Sequence, residues 1–437
     1  MQRITRRRCF STLFAIGLLF IAGGGGGDCQ VMQDPDGGPT GTLERVVLNL
    51  VKLDVNATTA SGPTVGDGVL AFNANANAVL AWLRSGETQA RVVPAPANMT
   101  HDTQDFMFVG TKLVVKDRNS GSIYVFDTDS EDVQAIPSAS VNLGTSGTWD
   151  ADGHLVATLN ATVTTQDGPN QVVKMTDITD INNFVTTPFD DPTEGVNTVS
   201  VDATGGRIAV RGNQNSFFIY DVNNPGAPIA NWNISPLQGG AGVTGDIKIR
   251  GDFVIFFDDD EVFSLLNIVS GVVTKPARNP ARANRGLDIE PVNGANRYGY
   301  FSQATDDDGN SIAIVNRLLL GRTDDVDNPI DPLGEFVNGG DADDGRVGFG
   351  ASVSISPNGR FVFVAGAAPV EVSEEERLYL SIDGANFSPV EDTDDALNIL
   401  RASAVDCSDN LVAFLIPQDL DDPISPVTIG YATLPPP

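Results

Sequence analysis

Val353-Ser354-Ile355-Ser356-Pro357-Asn358-Gly359-Arg360-Phe361-Val362-Phe363-Val364 reads as two short β-strands around a tight turn. β-Branched and aromatic residues favour extended backbone on both sides, while Gly359 is free to take the positive φ that closes a hairpin. Outward from this stretch the same strand-turn-strand unit recurs. Its other turns centre on Gly66-Asp67-Gly68, Gly110-Thr111, Asp152-Gly153, Thr204-Gly205-Gly206, Arg250-Gly251-Asp252, Asn293-Gly294 and Ser408-Asp409-Asn410. Neighbouring turns lie about 42 to 65 residues apart, a spacing that suits four-stranded units with unequal loops. No apolar period of 3.6 residues persists over a dozen positions, so the chain is read as all-β.

A third strand follows the pair and tends to end in Asp or Asn. The clear cases are Tyr124-Val125-Phe126-Asp127, Phe218-Ile219-Tyr220-Asp221 and Leu380-Ser381-Ile382-Asp383, with looser ones at Asp177, Asn267 and Asn316. A short acceptor there closes the next turn by accepting from backbone N–H. The Ser-Pro-Asn-Gly turn, followed by an aromatic-bearing strand ending in Asp, resembles the blade repeat of the TolB-like, YVTN and WD40-like propeller superfamily. The resemblance spans roughly residues 43 to 434 and implies a repeat type, a closed ring, and no particular activity. True WD40 repeats carry a Gly-His pair and a Trp-Asp dipeptide; here the first is absent and Trp149-Asp150 falls in another part of its repeat.

The expected architecture is a single β-propeller of seven or eight four-stranded blades, covering 42–437. Leu43-Glu44-Arg45-Val46-Val47-Leu48-Asn49-Leu50-Val51 is an apolar strand without a turn partner, and the last unit offers about three strands through Leu434. The N-terminal strand is therefore expected to complete the C-terminal blade and close the ring. That closure would bring the start of the domain near Cys407, where a disulfide with Cys29 competes with a free buried Cys407 and a lipidated or mobile Cys29.

Residues 1–24 read as a signal peptide: Arg3, Arg6, Arg7 and Arg8 precede an apolar run from Phe10 to Ala22, too short for an ordinary membrane span. Arg7-Arg8-Cys9-Phe10 also resembles the core of a twin-arginine signal, with Arg6 where Ser or Thr is usual. Residues 25–41, with Gly and Asp-Pro-Asp-Gly-Gly-Pro, read as a flexible linker. Cys29 stands at about the distance of a lipoprotein cysteine, but Asp28 precedes it where a small residue is required. Soluble export with cleavage in the glycine run is favoured over a lipid anchor. The destination is the periplasm, the cell surface or the medium, and no later stretch is apolar and long enough for a transmembrane helix.

With 57 acidic against 27 basic residues the net charge is -30, which repels a nucleic-acid backbone. Two histidines, His101 and His154, are all the chain has, so a histidine-rich metal site or a Ser-His-Asp system is hard to build, and no catalytic residue is assigned. Two constellations remain. Asp306 and Asp308, in Asp306-Asp307-Asp308-Gly309-Asn310, and Asp341 and Asp343, in Asp341-Ala342-Asp343-Asp344-Gly345, are candidate calcium ligands, because a hard cation needs several oxygens converging on one bend. Lys275, Arg278, Arg282 and Arg285 form the single basic cluster after the signal and are placed in a loop between blades, where guanidinium groups bind carboxylates bidentately.

Three functions compete. The first is a monomeric, non-enzymatic binding or scaffold module engaging a protein or glycan through its loop face, with no cofactor. The second is a propeller lyase or hydrolase acting on anionic carbohydrate; the third, a calcium-stabilised adhesive module.

Overall fold

The computed structural model describes residues 30–31, 46–48, 51–55 and, with interruptions, 62–435. Eight antiparallel sheets of at least four strands follow one another along the chain, and the expectation of seven or eight blades resolves to an eight-bladed propeller.

The inner strands, in order, are Thr64–Val65, Asp105–Val109, Thr148–Asp152, Val196–Asp202, Val243–Arg250, Arg282–Val292, Ser352–Ile355 and Ala404–Cys407. Each opens a meander that runs outward; blade 4, for example, continues through Arg207–Gly212 and Ser216–Asp221 to Ala230–Asn233. Apolar side chains from both faces of the middle strands meet those of the next blade. Leu155, Met175, Val199, Ile208, Phe218 and Tyr220 thus make one core between blades 3 and 4.

Six of the anticipated turns have their glycine in the expected conformation, and Asn293-Gly294 lies outside the described residues. Gly359 has a φ of 67°, and the glycines at 68, 110, 153, 206 and 251 also take positive values. Around Gly359, the Ser356 hydroxyl accepts from the N–H of Phe361 at 3.0 Å and donates to Asn358 at 3.1 Å, while Asn358 accepts from the N–H of Arg360 at 2.8 Å. Ser-Pro-Asn-Gly is therefore a self-bonded turn. At four of the expected positions the Asp or Asn ending the third strand behaves as expected: Asp127 accepts from Asp129 N–H, Asp177 from Thr179, Asp221 from Asn223, and Asn267 from Val269 and Ser270, while Asp383 lies outside the described residues.

Ring closure by an N-terminal strand is confirmed, with a shift in the residues that perform it. Val51–Val55, not the stretch ending at Val51, is the fourth strand of blade 8, pairing from Val51 opposite Tyr431 to Val55 opposite Val427. Val46–Leu48 instead adds in parallel to Ser388–Asp392 of blade 7, and Gln30–Val31 pairs outside it. Val46–Leu48 and Val51–Val55 are separate strands, and their leucines fill different cores. Leu48 packs with Phe361, Phe363 and Leu380, whereas Leu53 packs with Leu70, Phe72, Leu411 and Tyr431.

Candidate functional site

The inner strands carry a belt of polar side chains with one repeating contact. A side chain on one blade accepts a hydrogen bond from the backbone N–H one residue further on in the next blade. Asp406 of blade 8 accepts from Val65 at 2.8 Å, and Thr64 of blade 1 from Phe108 at 3.1 Å. Asp150 of blade 3 accepts from Val201 at 3.0 Å, and Ser200 of blade 4 from Ile249 at 3.2 Å. Asp288 of blade 6 accepts from Ile355 at 2.7 Å, and Ser354 of blade 7 from Cys407 at 3.1 Å. Thr64, Met107, Asp150, Ser200, Lys248, Asp288, Ser354 and Asp406 thus occupy one repeat position around the ring.

Met107 and Lys248 break the pattern, since a thioether is only a weak acceptor and an ammonium accepts nothing. Between blades 2 and 3 the loss is offset by the Trp149 indole N–H donating to Asp105 at 2.7 Å, by Lys116 Nζ donating to the Gly147 carbonyl at 2.6 Å, and by an apolar core including Val109, Val125 and Trp149. Between blades 5 and 6, the Ile289 N–H that Lys248 cannot receive is taken by Asp288 Oδ1 at 2.9 Å. Lys248 reaches the other way, past blade 4, to Asp150 Oδ1 at 3.2 Å.

Two residues further along the same strands lies a second charged level. Arg250 contacts Glu290 at 3.3 Å and Asp152 at 3.5 Å, and donates to the carbonyls of Val201 and Ile249. Asp152 accepts from Ala203 N–H at 2.7 Å and Asp202 from Gly251 N–H, so this level also ties blade to blade. A charged group enclosed in this way is stable only when paired or hydrogen-bonded.

Enclosure shifts the titration of these groups. Burial lifts the Glu290 carboxyl from 4.5 to about 8 against the pull of Arg250, with Asp288 and Asp152 adding to the rise. Burial lifts Asp406 from 3.8 to about 6, against hydrogen bonds from Val65 and Ser354, and raises Asp288 as well. Lys248 is held more firmly protonated by Asp150. Between about pH 4 and 8 the native ring therefore keeps protons that the unfolded chain has released, and stability falls as pH rises through that window. Glu87 and Asp177, where hydrogen bonds outweigh burial, are lowered and act oppositely, losing their contribution only as pH falls toward about 4. Thermal unfolding is expected at a lower temperature at about pH 8.5 than at about pH 5, and Glu290→Gln is expected to flatten that dependence. A melting temperature that rises with pH would contradict the assignment.

The sequence-derived candidates fall elsewhere. Lys275 is exposed just after the outer strand of blade 5. Arg282 and Arg285 lie on the inner strand of blade 6 opposite Gln303 and Phe301, not in a loop, because the partner strand Ala295–Gln303 is long enough to pair them across two bulges. Arg278, Asp306, Asp308, Asp341, Asp343 and Cys29 lie outside the described residues. Among the described residues no group of three His, Cys, Asp or Glu is placed to hold a metal ion, and no helix is long and apolar enough to cross a membrane. Cys407 is a free, buried thiol on the inner strand of blade 8, raised well above its ordinary value by burial. His154 is exposed on its turn and His101 lies outside the described residues. Sequence reading missed the belt entirely.

No family model matches the chain, and no curated protein matches it. Among solved structures it is similar to a computationally designed protein, Ika8, with a TM-score of 0.50 and 10% identity over 88% of this chain and 99% of that one. It also matches a chain of the mitotic checkpoint complex (TM-score 0.43, 12% identity, 78% of this chain and 96% of that) and the tricorn protease (0.38, 10%, 81% and 36%). At these identities the likeness concerns the fold alone, and the first comparison supports the propeller.

Proposed function

We propose that this chain is an exported, non-enzymatic binding or scaffold propeller that engages a protein or glycan on the face where its inner strands begin. The observation that carries the reading is the belt. Asp150, Ser200, Asp288, Ser354 and Asp406 spend their acceptor atoms on neighbouring blades, which suits a rigid platform better than a proton-transfer site. Cys407, the thiol that follows the belt residue Asp406, is held neutral by burial and is a poor nucleophile.

The test is an array of neutral and anionic glycans, with bound protein and released reducing or unsaturated ends measured on the same samples. Binding without product is the expected result; product formed by the wild-type chain would assign a lyase or hydrolase instead. If the retained ligand is anionic, Arg282→Ala with Arg285→Ala is expected to weaken it about tenfold. Unchanged affinity would remove these arginines from the binding surface.

A further inference from the structure

The geometry points to a saccharide-binding point inside the ring, where Lys248 and Asp150 together hold a vicinal diol of an uncharged sugar; this rests on the binding-propeller reading above. Lys248 stands at a belt position that carries an acceptor on six of the other seven blades, and the ring forgoes one inter-blade bond to keep it there. Departures from an otherwise regular structural rule concentrate at functional positions.

The ammonium has three donors, and among the described residues it makes one hydrogen bond, to Asp150 Oδ1 at 3.2 Å. Its side chain sits on an inner strand at the centre of the ring and is still 33% exposed, so it lines the central channel. Asp150 divides its work: Oδ2 accepts from Ser200 at 2.7 Å and from Val201 at 3.0 Å, while Oδ1 accepts from Lys248. An acceptor lone pair on Oδ1 and two ammonium donors therefore lie side by side.

Charge selects the ligand. An incoming anion would meet Asp150 and Asp152, and an incoming cation would meet Lys248 and Arg250. An uncharged group that both accepts and donates meets no such repulsion. In a vicinal diol, one hydroxyl accepts from Lys248 and its neighbour donates to Asp150.

Calorimetric titration with the methyl glycosides of mannose, galactose and glucose, and with the 3-deoxy form of each, tests the assignment. At least one glycoside is expected to bind, its 3-deoxy form, which lacks vicinal ring hydroxyls, is expected not to, and Lys248→Met is expected to weaken binding about tenfold or more with Lys248→Arg losing less. Equal binding of the 3-deoxy sugar, or unchanged affinity in a folded Lys248→Met protein, overturns the proposal. The deoxy comparison uses the wild-type chain and decides the matter even if the variant does not fold. If all three glycosides fail while an anionic glycan or a protein binds, this site falls and the binding propeller stands. If nothing binds, both readings fall.

Discussion

A chain that begins at residue 57 is expected to lose its cooperative unfolding transition near physiological temperature and to elute as larger assemblies. Such a chain lacks Val51–Val55, which pairs residue for residue with Val427–Tyr431 at the outer edge of blade 8. Leu53 is 6% exposed and Val51 is half-buried against Leu411, Ile429 and Tyr431 in the core that joins blade 8 to blade 1. Burying these two side chains stabilises the fold by about 3–5 kcal/mol, out of a total that for single domains is about 5–15 kcal/mol. Their removal also leaves Val427–Thr433 as an open, apolar edge, which invites pairing between molecules. A chain beginning at residue 50 separates the two N-terminal strands. It loses Val46–Leu48, including the fully buried Leu48, but keeps the closing strand. It is expected to melt at a lower temperature, by the equivalent of about 2–3 kcal/mol, without changing its size in solution. Equal behaviour of the two truncations, measured by thermal unfolding and size-exclusion chromatography, would show that Val51–Val55 does not close the ring.

That closure was legible in the sequence because an apolar strand stood at one end of the chain and an incomplete unit at the other. The exact residues were not, since Val46–Leu48 and Val51–Val55 are only two residues apart and their packing against different blades separates them. Turns were read more securely than strands' neighbours: Gly359 and its counterparts act through local backbone geometry, which a few adjacent residues determine. The belt escaped notice for the opposite reason. Its side chain and the N–H it receives lie tens of residues apart, as with Asp150 and Val201 or Asp406 and Val65. The step from the belt residue to the following turn glycine also varies, from Asp150 to Gly153 and from Ser354 to Gly359. Without a fixed offset, Thr, Met, Asp, Ser and Lys at one structural position do not align by eye. Lys248 in particular reads as an ordinary alternating residue of a strand until its neighbours in the ring show that an acceptor belongs there.

Asp150→Ala is expected to be the most damaging single change in the belt, costing about 3–5 kcal/mol. Asp150 is 5% exposed and receives the Ser200 hydroxyl, the Val201 N–H and the Lys248 ammonium. Truncation strands three donors at once, on blades 4 and 5, and the buried ones lose their partner with no water to replace it. Lys248 suffers differently, because a third of its side chain faces the channel and can be rehydrated. A double-mutant cycle with Lys248→Met therefore divides the cost. If the Ser200 and Val201 contacts dominate, the double variant remains nearly as unstable as Asp150→Ala, since removing the ammonium repairs neither. If the unpaired charge dominates, Lys248→Met restores a large part of the lost stability in the Asp150→Ala background. The geometry favours the first outcome: two of the three donors are fully enclosed, and both hold blade 4 against blade 3. Urea unfolding of the four proteins measures the coupling, and recovery of more than about half of the loss would assign Asp150 chiefly to Lys248 and not to the seam between blades.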